Sequence, residues 1–185
     1  MRICIFPGTF NPIHVAHINM AQVALEKYGF DKIIFIPAYI PPHKELESSL
    51  AKHRYNMVKL AISKNPKFEI SDIEYKTECK SYTLLTVKKI FEKYEIKDKL
   101  NMIIGTDAFS KIKTWYKTDE LKELVHFLVF PRGEDVINKN EFCGYSYEIV
   151  NTDKTNISSS EIRNEHKKGT VKEVEEYIAK NELYK

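Results

Sequence analysis

The stretch Phe6-Pro7-Gly8-Thr9-Phe10-Asn11-Pro12-Ile13-His14-Val15-Ala16-His17 decides the fold of this chain. Before it, residues 3–6 form a short apolar run that predicts a buried strand. After it, residues 18–28 carry apolar side chains at helical spacing. A strand therefore enters a Pro-Gly turn, and a helix leaves from it. This junction predicts a phosphate site, because it brings backbone amides and the positive end of a helix to one edge of the sheet.

His14 and His17 are the candidate functional side chains of this junction. Because they are three residues apart at the start of a helix, both project toward the same spot. The junction contains neither G-x-x-x-x-G-K-[ST] nor G-x-G-x-x-G, so it is not one of the common phosphate loops. Taken alone, the pair is equally consistent with a helix cap or a surface feature.

Composition excludes several classes of protein. The 185 residues fit one domain spanning 1–185, and a net charge of +3 without a basic run does not indicate a nucleic-acid partner. The three cysteines are far apart and lack metal-ligand spacing, which is typical of a reducing compartment. No apolar run approaches the length of a membrane helix, and the chain enters its first strand without a signal peptide. We therefore expect a cytoplasmic protein.

Strand and helix patterns alternate along the rest of the chain. Tyr28-Gly29 reads as the end of the first helix. The following elements are then expected, in order: a strand over 32–37, a helix over 53–64, a strand over 68–71 extended by 73–75 after a kink, a helix opened by Ser81-Tyr82-Thr83, and strands over 100–105, 125–130 and 147–150. This succession predicts an α/β fold: a single Rossmann-like, doubly wound domain with a mostly parallel sheet of about five to six strands. Ligands of such sheets bind at the carboxyl ends of the strands.

Three polar or aromatic positions fall near that edge, and each has two interpretations. Lys44 follows Pro41-Pro42-His43 and is either an anion-binding cation or a surface lysine of a loop. Asp107 follows Gly105 and either accepts hydrogen bonds from a nucleoside or caps a helix. Trp115, beside Tyr116, either belongs to the core or stacks on an aromatic ligand.

A second motif, Ile157-Ser158-Ser159-Ser160-Glu161-Ile162-Arg163, opens a helix near the C-terminus. Ser158 and Glu161 fit a capping box. The capping box does not explain three successive serines followed by an arginine. Serine hydroxyls, backbone amides and Arg163 together would form a second anion site.

Together these motifs resemble the nucleotidyltransferase superfamily marked by H-x-G-H and a C-terminal I-S-S-[ST]-x-[IL]-R. The chain is most similar to the bacterial nicotinate mononucleotide adenylyltransferases. The segments that carry this similarity, in the order of that family, are Pro41-Pro42-His43-Lys44, Ser81-Tyr82-Thr83-Leu84, Gly105-x-Asp107, Trp115 and the run over 121–132. The chain departs from the family at Pro7, often glycine, at Asn11, usually aspartate, and at Ala16, the glycine of H-x-G-H.

The resemblance implies transfer of the adenylyl group of ATP to the 5′-phosphate of nicotinate mononucleotide by direct in-line attack. A phosphate monoester is mostly ionised near pH 7, so this nucleophile needs no general base. By resemblance, the catalytic residues are His14, His17, Lys44 and Arg163. ATP binding would also use Gly8, Thr9, Phe10, Gly105, Asp107, Ile157, Ser159 and Ser160, and acceptor binding would use Tyr82, Thr83, Trp115, Tyr116 and Arg132. Mg²⁺ would be the cofactor, held mainly by the ATP phosphates without dedicated protein ligands.

Three other functions stay open. A pantetheine-phosphate adenylyltransferase shares the Pro7-Gly8 pair and a serine cluster, although Trp115 and Arg163 favour the nicotinate enzyme. A polyol-phosphate cytidylyltransferase lacks the arginine of the second motif. A regulatory module could bind a dinucleotide without catalysis. The sequence does not decide between nicotinate and nicotinamide mononucleotide, and it leaves open whether the chain forms a homo-oligomer.

Overall fold

A six-stranded sheet forms the centre of the protein. The computed structural model describes residues 1–42, 49–76, 80–132, 137–152, 157–165 and 168–185. Its strands are β1 (Ile3–Gly8), β2 (Lys32–Pro37), β3 (Phe68–Ile70), β4 (Leu100–Gly105), β5 (Val125–Phe130) and β6 (Ser146–Ile149). They lie in the order β3-β2-β1-β4-β5-β6, and each neighbouring pair is parallel. The predicted α/β fold is confirmed, and the strand order reverses between β1 and β4, where ligands of such sheets bind.

Helices cover both faces of the sheet. They are α1 (Val15–Tyr28), α2 (Ser49–Ile62), α3 (Thr83–Tyr94), α4 (Thr106–Phe109), α5 (Thr118–Leu124), α6 (Ser159–Glu165) and α7 (Lys172–Lys180), with 3-10 turns at Ile112–Thr114 and Lys139–Phe142. One apolar layer lies beneath α1, α2 and α7, and the other beneath α3 and α5. Because side chains alternate along a strand, Cys4 enters the first layer and Ile5 the second, and both are fully buried.

The first helix ends where the sequence predicts, whereas the bounds of the second differ from the prediction. Gly29 ends α1 in the left-handed region at φ +62°, as the Tyr28-Gly29 pair predicted. The second helix begins earlier than predicted, at Ser49, and ends at Ile62. Within the described ranges, no helix is long and apolar enough to cross a bilayer.

The predicted strand extension over 73–75 is wrong. The amide of Ser71 still donates to the carbonyl of Phe35, but the next amides bond locally: Ile73 to the Ser71 hydroxyl and Tyr75 to the Asp72 carbonyl. Residues 73–76 therefore form a turn. This turn directs Glu74 into the protein, where it is only 7% exposed.

The helix that Ser81-Tyr82-Thr83 was predicted to open is α3, and neither hydroxyl residue caps it. Tyr82 precedes the helix and Thr83 is its first residue. The Ser81 hydroxyl instead accepts from the amides of Tyr39 (2.8 Å) and Ile40 (3.3 Å). Ser81 thus joins the start of α3 to the segment that follows β2.

Candidate active site

A cavity of about 820 Å³ opens at the carboxyl ends of the strands. Within the described ranges, every predicted site residue except Ile157 lines it. They are Gly8, Thr9, Phe10, His14, His17, Tyr82, Thr83, Gly105, Asp107, Trp115, Tyr116, Arg132, Ser159, Ser160 and Arg163. Ile157 instead lies near Gly169, where an added Cβ would come within 3.1 Å of its side chain. Lys44 lies outside the described residues.

The turn after β1 requires a glycine for a specific reason. Phe10 has a left-handed backbone, at φ +49°, and its ring packs edge-on against Phe6 at 5.4 Å between centroids. A Cβ at position 8 would lie 2.8 Å from the Phe10 ring. Phe10 as a whole is only 2% exposed, and its ring belongs to the first apolar layer.

The two histidines of the first motif meet, as their spacing predicted. Their rings stack with centroids 3.7 Å apart and planes inclined by 30°. The amide of His14 donates to Nδ1 of His17 at 3.2 Å. Since Nδ1 accepts this hydrogen bond, neutral His17 carries its proton on Nε2, where it can donate to a ligand.

His14 is buried and neutral. It is 2% exposed, and neither ring nitrogen has a hydrogen-bond partner among the residues that the structure describes. Burial lowers the pKa of His14 to about 3, and the positive charge of Arg132 acts in the same direction, against the opposing effect of Glu161. The His14 ring lines the cavity, where a polar ligand could bond the nitrogens that no described residue contacts.

The second motif is bonded directly to the first. Ser159 Oγ donates to the carbonyl of Pro12 at 3.0 Å, and Arg163 Nη1 donates to the carbonyl of Asn11 at 2.5 Å. The capping box is present as well: the Ser158 amide donates to Glu161 Oε2 (2.8 Å) and the Glu161 amide to Ser158 Oγ (3.2 Å). Ser158 and Glu161 thus form the capping box, while Ser158, Ser159, Ser160 and Arg163 line the cavity.

Asn11 carries a contact that the sequence did not predict. Its side chain is 5% exposed, and its Oδ1 accepts from the hydroxyl of Tyr184 at 2.6 Å. Burial raises the pKa of Tyr184 to about 12, so this hydroxyl stays a donor at ordinary pH. No pattern in the sequence relates positions 11 and 184.

The ends of β4 and β5 present opposite charges to the cavity. Asp107 forms an ion pair with Arg132 at 3.2 Å, and Thr106 Oγ1 bonds both the amide and the carbonyl of Arg132. A Cβ at Gly105 would lie 2.5 Å from Asp107 Oδ1, so only glycine fits there with this carboxylate position. Gly105, not Asp107, occupies the cap position of α4.

Aromatic side chains form the opposite wall. The rings of Tyr82 and Tyr116 lie 4.7 Å apart, and Tyr116 is 43% exposed. Trp115 is partly buried against the second apolar layer while it also lines the cavity. Trp115 therefore packs on the core and is also accessible from the cavity.

Sequence reasoning missed two charged residues of the cavity wall, Lys111 and Glu74. Glu74 accepts from the Thr86 hydroxyl at 2.6 Å, and burial raises the pKa of its carboxyl group. Its place follows from the turn at 73–76, which replaces the expected strand. Lys111 is an exposed residue between α4 and the 3-10 turn, and nothing in its local pattern distinguishes it from other surface lysines.

The donor set of the cavity suits phosphate oxygens. It includes hydroxyls, imidazoles, the guanidinium groups of Arg132 and Arg163 and the ammonium group of Lys111, which donate hydrogen bonds or carry positive charge. Across the described ranges, no group of three or more His, Cys, Asp or Glu side chains is arranged to hold a metal ion.

Comparisons with known proteins show the family of this chain. The cytidylyltransferase-like family model matches residues 5–165. Proteins named "Probable nicotinate-nucleotide adenylyltransferase" from Clostridium botulinum (strain Okra / Type B1) and Caldicellulosiruptor saccharolyticus are 42% and 36% identical, over 98% and 100% of both chains. The solved Plasmodium falciparum nicotinic acid mononucleotide adenylyltransferase complexed with NaAD is 25% identical, with a TM-score of 0.82 over 99% of this chain and 97% of its own. The chain belongs to the cytidylyltransferase-like family and, within it, to the nicotinate-nucleotide adenylyltransferases.

Proposed function

We propose that this chain transfers the adenylyl group of ATP to the 5′-phosphate of nicotinate mononucleotide, giving nicotinate adenine dinucleotide and pyrophosphate. This reaction belongs to NAD biosynthesis. One observation carries the proposal beyond family membership: Ser159 and Arg163 bond the backbone of Pro12 and Asn11, so two phosphate-type motifs form one site. The relatives named for this activity and the NaAD complex of the Plasmodium falciparum enzyme support the same substrates.

The reaction needs alignment and charge neutralisation more than acid–base chemistry. An oxygen of the acceptor phosphate attacks the α-phosphorus of ATP, a bond forms between them, and the bond to the pyrophosphate oxygen breaks. The acceptor oxygen is already ionised, so no general base is required. What the protein supplies is in-line placement of the two substrates and hydrogen bonds to the charge that develops at the α-phosphate.

We assign the histidines to that developing charge. His17 would donate from Nε2 to an α-phosphate oxygen, because its Nδ1 is engaged by the His14 amide. His14, staying neutral, would donate to an ATP phosphate oxygen from the one ring nitrogen that carries a proton. The amides of Thr9 and Phe10 would assist at the same oxygens.

The remaining roles divide the cavity. Ser159, Ser160 and Arg163 would hold the β- and γ-phosphates, together with Lys44, whose role rests on the resemblance. Gly105 and Asp107 would meet the adenosine. On the acceptor side, Trp115 would stack on the nicotinate ring, while Tyr82, Thr83, Tyr116 and Arg132 would shape its surroundings. Mg²⁺ would enter as MgATP and neutralise the phosphates. A cytoplasmic location and a single domain over 1–185 complete the proposal.

A pyrophosphate-release assay tests the proposal directly. With ATP and Mg²⁺, nicotinate mononucleotide, nicotinamide mononucleotide and phosphopantetheine are compared as acceptors. A kcat/KM for the nicotinate compound at least about a hundredfold higher, ~2.7 kcal/mol in transition-state binding, is the expected result. Equal rates for the first two would indicate dual specificity. Turnover with phosphopantetheine alone, or binding without turnover, would overturn the assignment.

A further inference from the structure

Arg54 is a buried cation outside the cavity wall. It lies on α2, and its side chain has no exposed surface. Its guanidinium donates to three backbone carbonyls: Nη1 to Thr9 (2.9 Å) and Ala38 (2.5 Å), and Nη2 to Tyr39 (2.8 Å). A buried guanidinium loses its hydration, so it persists only where fixed acceptors replace water. Among the described residues, its Nε has no such acceptor.

The three carbonyls belong to two walls of the active site. Thr9 lies in the phosphate turn after β1, and Ala38 and Tyr39 lie in the segment after β2; Thr9 and Ala38 both line the cavity. A backbone hydrogen bond from the Ala38 amide to the Gly8 carbonyl (2.9 Å) joins the same two segments. Arg54 therefore bridges the loops of two adjacent parallel strands at their ligand-binding ends.

The bond to Thr9 also fixes the next peptide unit. In a trans peptide the carbonyl and the following amide point in opposite directions, so holding the Thr9 carbonyl toward Arg54 turns the Phe10 amide away from it. Phe10 has φ +49°, a region that non-glycine residues adopt only when their surroundings enforce it. Arg54 supplies that enforcement on one side, and the packing of the Phe10 ring supplies it on the other.

The segment after β2 is held from both sides. Arg54 binds its carbonyls, and the Ser81 hydroxyl binds the amides of Tyr39 and Ile40. The Ser81 amide returns a hydrogen bond to the Ile40 carbonyl at 2.9 Å. The segment is thus positioned by side chains from α2 and from the start of α3, and not by the sheet alone.

We propose that Arg54 is a positioning residue for adenylyl transfer, which sets the phosphate turn at Thr9-Phe10 against the segment at Ala38-Tyr39. This inference rests on the proposed function. Arg54 touches no substrate in it. Its effect on the rate comes through the backbone amides of the turn, whose direction toward the α-phosphate it fixes.

The test compares Arg54→Lys, Arg54→Gln and Arg54→Met with Asn56→Ala. Asn56 lies on the same helix and donates to the Tyr177 hydroxyl (2.9 Å) on α7, away from both loops. Steady-state kcat and KM for ATP are measured with saturating nicotinate mononucleotide, and Tm is measured for each variant. We expect the Arg54 variants to lose about 10- to 100-fold in kcat with KM for ATP changed less than threefold. Asn56→Ala should keep kcat within twofold.

Each other outcome overturns the proposal. A folded Arg54 variant with kcat within twofold of wild type would remove the positioning role. If the Arg54 variants lose no more kcat than Asn56→Ala does at the same loss of Tm, Arg54 is a purely structural residue. The same conclusion follows if none of the three Arg54 variants folds. The wild-type chain in the same assay tests the proposed function separately. Should it use another acceptor, the variants are compared with that acceptor, because the turn faces ATP in every case.

Discussion

The two parts of the cavity that we assign to the phosphates and to the acceptor, here the phosphate end and the acceptor end, differ in how far other protein groups already hold their polar groups. At the phosphate end, Asn11 and His14 are at most 5% exposed, and Arg163 and Ser159 tie the second motif to the first. At the acceptor end, Tyr116 is 43% exposed and its ring contacts the tilted ring of Tyr82, and Arg132 pairs with Asp107. At the acceptor end, several of the side chains that we assign to ligands thus contact one another.

This difference separates two kinds of mutational effect. A site fixed in advance contributes most in the transition state, so changes at the phosphate end should lower kcat. A site that must exchange internal contacts for ligand contacts contributes mainly to binding, so changes at the acceptor end should raise KM. The predictions that follow test this division, from the largest expected effect to the smallest.

His17→Ala should produce the largest effect, a fall in kcat of about 100- to 1,000-fold with KM for ATP within threefold. Removing one fixed donor from a developing oxyanion typically costs this much. Steady-state kinetics with both substrates varied measures it. The control is His126→Ala, because His126 lies in β5, half-buried against the Ser146 hydroxyl. Equal losses in kcat and in ATP affinity for His17→Ala would contradict a transition-state role.

His14 should make stability depend on pH. Its folded pKa of about 3 lies below the ordinary value of 6.5, so between these values the unfolded chain binds a proton that the folded chain does not. Stability contributed by neutral His14 is present above pH 6.5 and is lost as pH falls, at up to about 1.4 kcal/mol per pH unit.

Urea unfolding of wild type and His14→Asn from pH 7 to 4.5 measures this contribution. The free energy of unfolding is plotted against pH for both proteins. The difference between the two slopes gives the contribution of His14, because the carboxylates are the same in both. His126→Asn is the control, since burial lowers the pKa of His126 too, at a site outside the cavity. Parallel curves for wild type and His14→Asn would show that His14 is hydrated in the folded protein, and would weaken the view that the phosphate end is arranged in advance.

Trp115→Ala should act at the acceptor end and raise KM for nicotinate mononucleotide about tenfold, with kcat within threefold. Stacking of an aromatic side chain on a heteroaromatic ring contributes ~1–3 kcal/mol. Trp115→Phe keeps a ring and should recover most of the affinity. Because Trp115 also packs on the core, Tm is measured alongside. An unchanged KM in folded Trp115→Ala would exclude the stacking role.

The fold was predictable because its signals are local. Apolar runs that end in glycine or proline mark β1, β2, β4 and β5, and Gly29 marks the end of α1. The wrong prediction at 73–75 is also local in origin. The Ser71 hydroxyl accepts from the Ile73 amide and the Asp72 carbonyl accepts from the Tyr75 amide, so these amides do not pair with a strand. Local turn chemistry there outweighs the apolar alternation of Ile73 and Tyr75.

The candidate site was predictable only where a motif carries it. His14, His17, Ser159 and Arg163 stand in contiguous patterns with a recognisable chemistry. The contacts that hold them in place join residues far apart in the sequence. Arg54 bonds Thr9, 45 residues away, and Tyr184 bonds Asn11, 173 residues away. Such pairs depend on how whole helices pack, and a single arginine or tyrosine in a helical or terminal segment has many equally suitable partners.

Tyr184→Phe should produce the smallest effect on kcat, and it tests whether the C-terminal segment helps to position the phosphate end. It removes the donor to Asn11 Oδ1, and leaving a buried acceptor without its partner costs about 1 kcal/mol or slightly more. The backbone of the turn stays held, because Arg163 and Ser159 still bond Asn11 and Pro12. We therefore expect a lower free energy of unfolding with kcat within threefold.

Tyr28→Phe is the matched control, since its hydroxyl, at the C-terminal end of α1, donates to the partly exposed Glu148 of β6. Urea unfolding and steady-state kinetics of both variants separate stability from rate. A fall in kcat above tenfold for Tyr184→Phe alone would place the C-terminal segment among the groups that position the phosphates. The groups that hold the phosphate end in place would then include Tyr184, which lies outside both motifs.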